Sequence, residues 1–223
     1  MEETMGRLGE GYGSEYHLRR YLAVAPATLS AAIADEIGDG DRACEWLPFG
    51  AGKRGDRELR GMEFLDPTAR GAWADFWSRT GTPPNWDAVG RRAGIREWVL
   101  VEAKAREGEL VSPPCGAKED GGRARIEQAL RAARRHFGVA DDRDWMGSYY
   151  QIANRLASLY FLTEIAKQPA RLVFLYFVGD TFPDGSRCPA SRADWEPLVA
   201  KANGVLGLPT DLDRVHHVFL PVL

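Results

Sequence analysis

The sequence predicts an α/β domain in which helices flank a mixed central β-sheet. Segments with apolar residues at helical spacing alternate with short apolar runs of strand length, which is the pattern of an α/β fold. The run Trp98–Val101 is apolar at every position, as expected for a central strand that is buried on both faces. With 223 residues, the chain is long enough for one large domain or for one domain with insertions.

The first half of the chain divides at capping residues and at breaks. Ser14 is a good N-cap and predicts a helix that runs through Leu22. Pro26 predicts the start of a second helix, which continues to Ile37. Residues 38–61 are typical of a short strand and a loop. The elements predicted next are a helix at Thr68–Arg79, a break at Gly81–Pro84, strands at Asn85–Val89 and Glu97–Ala105, and a hairpin-like turn at Gly90–Arg96 between these strands.

The second half of the chain continues the alternation of helices and strands. Its predicted elements are a flexible loop at 107–122, an amphipathic helix at Arg123–Phe137 ended by Gly138, a long helix at Ser148–Lys167, a strand at Leu172–Val178, a helix from Ser191 to about Ala202, and a last strand at Val215–Val222. Ser191 and Asp194 have the spacing of a capping box, which supports the start of the last helix.

Composition and charge exclude several classes of protein. The chain is 44% hydrophobic and 27% charged, which is ordinary for a globular protein. No apolar run approaches the ~20 residues of a membrane span, and the acidic start Met1–Gly6 is not typical of a signal peptide. The net charge of -3 gives no support to nucleic-acid binding by the surface as a whole, so any basic surface must be local.

The cysteines indicate a reducing environment. Cys44, Cys115 and Cys188 are far apart in the sequence, and no pair has Cys-x-x-Cys spacing. An odd number of scattered cysteines predicts neither a disulfide framework nor a zinc site. We therefore expect a cytoplasmic protein.

A pair of charged residues ends the most central of the predicted strands. Glu102 and Lys104 project to the same face, because alternate side chains of a strand share a face. Two charges at the end of a buried strand are costly unless they are paired or used. A carboxylate can bind a divalent metal there, and a lysine beside it can position water or stabilise phosphate charge. The pattern indicates a metal-dependent phosphodiesterase, and a cross-strand ion pair is the simpler alternative.

Asp87 lies 15 residues before Glu102, on the neighbouring predicted strand. A hairpin of that length can bring the two carboxylates together. Mg²⁺ commonly binds one or two carboxylates together with waters and a substrate phosphate. Because aspartate is common after proline-rich breaks, a turn or cap role is the alternative for Asp87.

With the order of elements around them, Asp87, Glu102 and Lys104 resemble the signature of the PD-(D/E)XK nuclease superfamily, which has the restriction-endonuclease-like fold. The resemblance covers about residues 14–178 of a single domain that spans residues 1–223. An insertion and a C-terminal helix and strand are additions to that core. The sequence departs from the family pattern at Trp86, where the family name has proline.

The resemblance implies Mg²⁺- or Mn²⁺-dependent hydrolysis of nucleic-acid phosphodiester bonds, with DNA expected before RNA as the substrate. Asp87, Glu102 and the Ala103 carbonyl would bind the metal, and Lys104 would position the attacking water. Many family members carry an acidic residue on the first helix that completes the site, which makes Glu15 a candidate metal ligand. The alternative for Glu15 is a first-turn glutamate that favours the positive end of the helix dipole.

Three polar residues of the long predicted helix are further candidates: Gln151, Asn154 and Arg155. Related nucleases often place a polar residue of such a helix near the metal or the phosphate. Gln151 and Arg155 are neighbours on the helix surface, because they are four residues apart. An exposed polar face explains all three residues without a function and is the favoured interpretation.

The amphipathic helix carries a candidate nucleic-acid-binding face formed by Arg131, Arg134 and Arg135. The first alternative to a nuclease is a non-catalytic nucleic-acid or protein-binding module on the same fold. The second is an α/β protein in which the charged pair is fortuitous. No membrane partner is expected, and the oligomeric state stays open, since a homodimer is compatible with the sequence.

Overall fold

A computed structural model describes residues 11–38, 40, 43–52 and 55–223. The acidic start of the chain, on which the expectation of no signal peptide rests, lies outside these residues. The described α-helices are α1 (Ser14–Val24), α2 (Pro26–Ile37), α3 (Pro67–Phe76), α4 (Arg123–His136), α5 (Tyr150–Tyr160) and α6 (Arg192–Leu206). The described strands are β1 (Cys44–Trp46), β2 (Gly50–Gly52), β3 (Gly55–Arg57), β4 (Leu59–Arg60), β5 (Asn85–Trp86), β6 (Ala88–Arg92), β7 (Glu97–Lys104), β8 (Ala170–Val178) and β9 (Val215–Pro221).

Five of these strands form one mixed sheet in the order β1-β6-β7-β8-β9. The pairs β1–β6 and β6–β7 are antiparallel, whereas β7–β8 and β8–β9 are parallel. The strands β2 and β3 form a separate antiparallel pair, as do β4 and β5. With helices on both faces of the five-stranded sheet, the architecture is α/β with a mixed central sheet, as predicted.

The central strand β7 is buried along its whole length. Leu100 packs into a core that includes residues of α3, α4, α5 and α6, whereas Val99 and Val101 pack with residues of α1 and α2 on the other face. Full burial of each such side chain stabilises the fold by about 1.5–3 kcal/mol. Helices on both faces therefore explain why the run before Glu102 is apolar at every position.

Two boundaries near the site differ from the prediction. Pairing between β6 and β7 continues to Arg92, because Arg92 forms a buried ion pair with Glu97 across the hairpin. The turn is thereby shortened to residues 93–96. The helix α1 begins at Ser14 without a side-chain cap, so the prediction of Ser14 as its N-cap is wrong; Gly13 occupies that position with a φ of 92°.

Two helices in the second half also differ from the prediction. Tyr149 has a φ of 66°, which delays the start of α5 to Tyr150. After Tyr160, the chain continues as a π-helical turn at Phe161–Ile165 and does not extend the α-helix to residue 167. The helix α6 begins where the capping box predicts, since the Ser191 hydroxyl accepts a hydrogen bond from the Asp194 N–H, but it continues past Ala202 to its end at Leu206.

Contacts near both of its ends hold the helix α1 against β9 and the segment that follows β8. The Gly13 N–H donates to Asp180 Oδ2 at 2.8 Å, and His17 Nε2 lies 3.1 Å from Asp180 Oδ1. Further along, the Tyr21 hydroxyl donates to the Pro221 carbonyl at 2.9 Å. These contacts place the first turn of α1 beside the carboxyl end of β8, next to the candidate site.

Among the described residues, no helix is both long and apolar enough to cross a membrane. The thiols of Cys44, Cys115 and Cys188 are all free. Trp73, Trp77 and Trp86 are buried in the core on the α3–α6 face of the sheet, which agrees with a packing role for them.

The edge strand β9 carries a histidine, His217, that should make the folded protein less stable at acidic pH. His217 Nδ1 lies 3.2 Å from the Tyr176 hydroxyl. Burial, with smaller contributions from His216 and Arg192, lowers the pKa of His217 from 6.5 to about 4. The unfolded chain therefore binds more protons than the folded protein between these two values. The free energy of unfolding should fall as the pH falls from about 6.5 to about 4, by at most about 3 kcal/mol from this residue.

Replacement of His217 by asparagine tests this pH dependence. His217→Asn keeps an acceptor for the Tyr176 hydroxyl but removes the titration, so we expect a flatter decline in stability towards acid. Part of the decline should stay, because the pKa of His216 is also lowered to about 4. Urea unfolding across this pH range, with the exposed His136→Asn as the control, measures the effect. An unchanged decline in His217→Asn would contradict the prediction.

Candidate active site

Asp87 lies between β5 and β6 and interrupts the single strand predicted at 85–89. Since Ala88 pairs with Val101, the register places Asp87 beside Glu102. The carboxylate of Asp87 takes the place of a main-chain partner, because its Oδ2 accepts a hydrogen bond from the Ala103 N–H at 2.7 Å. The strand β5, just before Asp87, pairs with β4 and not with the central sheet. The chain therefore returns to the central sheet at Asp87.

Glu102 and Lys104 form the buried charged centre of the site. They share one face of β7, and their exposed fractions are only 1% and 6%. The Lys104 ammonium donates to Glu102 Oε1 and, at 3.0 Å, to Gln151 Oε1. On the other side, Arg155 donates from Nε and Nη2 to Glu102 Oε2 at 2.7 and 2.6 Å. The Glu102 carboxylate is therefore held between two cations.

The pKa values of the two carboxylates of the site are shifted in opposite directions. Burial alone would raise the pKa of Glu102, but the charges of Arg155 and Lys104 outweigh it and hold that pKa below its ordinary value. Burial raises the pKa of Asp87 well above its ordinary value, and the Glu102 charge adds to the rise. An additional cation close to Asp87 would favour its ionised form. Titratable groups shifted apart in this way are typical of functional sites.

A cavity of about 560 Å³ opens at the carboxyl end of β7. The candidates that line it are Glu15, Asp87, Glu102, Ala103, Lys104 and Gln151. The structure thus brings together Glu15 from the first turn of α1, Asp87 from just before β6, the end of β7, and Gln151 from α5. Glu15 approaches the cavity from α1, and its Oε1 lies 3.1 Å from Arg19 Nε one turn further along that helix.

The interpretation of Gln151, Asn154 and Arg155 as an exposed polar face is wrong. Asn154 and Arg155 are buried and Gln151 is half-buried. The reason is that α5 packs on the face of β7 that carries Glu102 and Lys104, so its polar side chains meet those charges and not solvent. Arg155 Nη1 donates to Asn154 Oδ1 at 2.7 Å, and the Arg155 guanidinium carbon lies 4.9 Å from the ring centroid of Trp86.

A second cavity, of about 360 Å³, lies beside the first and shares Asp87 and Gln151 with it. Asn154 and Arg155 line only this second cavity, and Glu58 lines both. The Glu58 charge further raises the pKa of Asp87. The sequence does not indicate Glu58 as a site residue, because it is an isolated glutamate in a segment without clear hydrophobic periodicity. Only the pairing of β4 with β5 brings it to the site.

The candidate nucleic-acid-binding face on α4 is smaller than predicted. Arg134 donates to the main-chain carbonyls of Asp141, at 3.0 Å, and of Arg143, and its side chain is only 12% exposed. It therefore holds the turn that follows α4 and does not contribute to an exposed basic face. Arg131 and Arg135 are exposed, and Arg135 Nη2 lies 3.8 Å from an Asp141 carboxylate oxygen.

The donor atoms at the site suit a hard divalent cation. Asp87, Glu102 and the Ala103 carbonyl offer oxygen ligands, which Mg²⁺ prefers, and Mg²⁺ needs only one or two carboxylates when waters and phosphate complete its shell. The described residues contain no group of three or more His, Cys, Asp or Glu side chains that could hold a metal. Within the same residues, Asp87 Oδ1 accepts no hydrogen bond, whereas both oxygens of Glu102 are engaged.

Comparison with known proteins adds no family assignment. The chain matches no protein-family model, no curated protein and no solved structure. The geometry and chemistry of the cavity at the ends of β6 and β7 are therefore the evidence for its function.

Proposed function

We propose that the protein is a metal-dependent nuclease of restriction-endonuclease-like fold that hydrolyses phosphodiester bonds of nucleic acid, with DNA preferred over RNA. The observation that carries the proposal is the meeting of three residues at one cavity: Asp87, which lies just before β6, and Glu102 and Lys104 of β7. The opposite pKa shifts of Asp87 and Glu102 support a chemical role for the pair.

The residues that would hold Mg²⁺ or Mn²⁺ are Asp87, Glu102 and the Ala103 carbonyl, with Glu15 as a further candidate from α1. When bound, such an ion lowers the pKa of the attacking water and neutralises charge on the phosphate. Burial disfavours the ionised form of Asp87. A cation bound beside Asp87 would therefore stabilise its ionised carboxylate.

In this proposal, Lys104 acts on water or on a phosphate oxygen. An ammonium group has three donors, and two of those of Lys104 bond to Glu102 and Gln151. The third can donate to a group in the cavity. Arg155 and Asn154 are positioning residues, because Arg155 fixes the Glu102 carboxylate and Asn154 in turn fixes Arg155.

One observation favours a second candidate function, a non-catalytic nucleic-acid or protein-binding module. Both oxygens of Glu102 already bond to cationic side chains, so the carboxylate is satisfied by an ion-pair network. In that case Arg131 and Arg135 would bind a partner, and no bond would be cleaved. A cleavage assay separates the two functions, with single- and double-stranded DNA and RNA, in Mg²⁺, in Mn²⁺ and in EDTA.

The substitution Asp87→Asn tests the metal site directly. An asparagine oxygen can still accept from the Ala103 N–H, and the neutral side chain removes a buried charge that burial and Glu102 disfavour. We expect the metal-free variant to be as stable as the wild type or more stable by about 1 kcal/mol. The rise in melting temperature caused by Mg²⁺ or Mn²⁺ should largely disappear, since a ligand stabilises only the state that binds it.

Asp142→Asn is the matched control, because Asp142 is exposed and lies away from the cavity. It should keep the full rise in melting temperature with metal. If Asp87→Asn gains as much stability from metal as the wild type, Asp87 is not a ligand. Metal-dependent cleavage by the wild type that is lost in Asp87→Asn would support the nuclease.

A further inference from the structure

Arg106 lies two residues after Lys104 and lines the same cavity. Its side chain is 33% exposed. Arg106 Nη1 donates to Asp184 Oδ2 at 3.2 Å and to Ser186 Oγ at 3.1 Å, and its Nε lies 3.6 Å from a carboxylate oxygen of Glu109. The loop that follows β8 therefore holds the guanidinium at the wall of the cavity by the edge of its plane.

This guanidinium also lies over an aromatic ring. The Arg106 guanidinium carbon lies 4.6 Å from the ring centroid of Phe182, which is only 7% exposed. The Tyr12 ring packs against Phe182 at a centroid distance of 4.8 Å and an interplanar angle of 61°. Tyr12 thus packs against Phe182, and the guanidinium carbon of Arg106 lies over the Phe182 ring.

This arrangement suits stacking better than it suits phosphate binding. Two carboxylates, on Asp184 and Glu109, offset the positive charge of Arg106, and its Nη1 group already donates to Asp184 and Ser186. A phosphate clamp would need that charge and those donors for its own bonds. The face of the guanidinium opposite to Phe182 is the surface that a flat ligand can cover, and nucleic-acid bases stack on arginine planes.

We propose that Arg106 is the stacking platform for an unpaired base beside the bond that is cleaved, so that the substrate is single-stranded or carries an unpaired nucleotide there. The inference rests on the proposed nuclease function. A base inside a continuous duplex has neighbours on both faces and cannot lie on the platform. The cavity of about 560 Å³ is of the size that encloses a small organic ligand, which fits one nucleotide.

The experiment measures binding and stacking separately from cleavage. A short single-stranded oligonucleotide carries 2-aminopurine at one position, moved along the strand, and is titrated with the protein in Mg²⁺ and in EDTA. We expect quenching at one position on binding by the wild type. Arg106→Lys keeps the charge but not the plane, so it should lose that quenching and bind on the order of tenfold more weakly.

An abasic nucleotide at the quenched position completes the test. It should weaken binding by the wild type to a similar degree and have almost no further effect on Arg106→Lys, because the base and the guanidinium plane form one contact. Arg187→Lys is the matched control: it is an exposed arginine of the same loop, paired with Glu107, and should bind like the wild type. Phe182→Leu, which removes the supporting ring, should lose part of the quenching.

Several outcomes would overturn the inference. These are the absence of quenching at every position of a bound strand, the absence of binding both to single strands and to duplexes with an unpaired nucleotide, and equal weakening of Arg106→Lys with normal and abasic strands. The last result would make Arg106 a hydrogen-bonding contact to the backbone and not a stacking platform. Metal-dependent cleavage of duplex DNA in any of these cases would leave the proposed nuclease intact. Binding and quenching without cleavage would retain the platform and remove the nuclease.

Discussion

Replacement of Lys104 by alanine should lower cleavage by about 10²- to 10³-fold while the fold and substrate binding are retained. An ammonium group that stabilises charge only in the transition state contributes mainly to the chemical step, and loss of one such donor has an effect of this size. The fold should survive because Glu102 keeps its two bonds to Arg155, which leaves a charge-balanced pair. Single-turnover cleavage beside a binding titration measures both quantities.

Two further lysine variants sharpen this test. Lys104→Arg should not restore cleavage, because a planar guanidinium cannot replace a compact ammonium between Glu102 and Gln151. Lys167→Ala is the matched control, since Lys167 is exposed and pairs with Glu164 away from the cavity. Full activity of Lys104→Ala would remove the catalytic role of Lys104 and favour the binding module.

Replacement of Glu102 by glutamine should destabilise the metal-free protein by about 3–5 kcal/mol at neutral pH. The change leaves the buried cations of Lys104 and Arg155 without their shared carboxylate, and loss of one partner from a buried ion pair has a cost of this order. Asp87→Asn, a substitution of the same kind at the same site, should not destabilise. Urea unfolding in EDTA compares the two variants without any contribution from metal.

The opposite signs follow from the opposite pKa shifts of the two carboxylates. Folding favours the ionised form of Glu102 and disfavours the ionised form of Asp87. Glu107→Gln serves as the control, because the Glu107 side chain is 42% exposed and its pairing with Arg187 is a surface ion pair. For this variant we expect a change below about 1 kcal/mol. Similar losses of stability for Glu102→Gln and Asp87→Asn would show that the charges are not arranged as described.

Features with a local cause could be predicted from the sequence alone. The apolar run before Glu102 identified a central strand, and strand periodicity placed Glu102 and Lys104 on one face, as the structure has them. Pro26 and the Ser191 capping box marked the starts of two helices. The alternation of helices with apolar strands indicated the α/β class and its mixed sheet.

Features that depend on contacts between distant segments were decided only by the tertiary structure. The polar side of α5 was expected in solvent, but it lies on charged residues of β7 because the packing of a helix is set by its neighbours and not by its own period. The same reason explains why Arg134 is turned to the loop after α4 and why Glu58 lies near Asp87. It also explains the platform at Arg106, whose partners come from a loop about 80 residues later in the chain. Periodicity assigns a side chain to a face of its own element, whereas the partner of that face depends on how the whole chain folds.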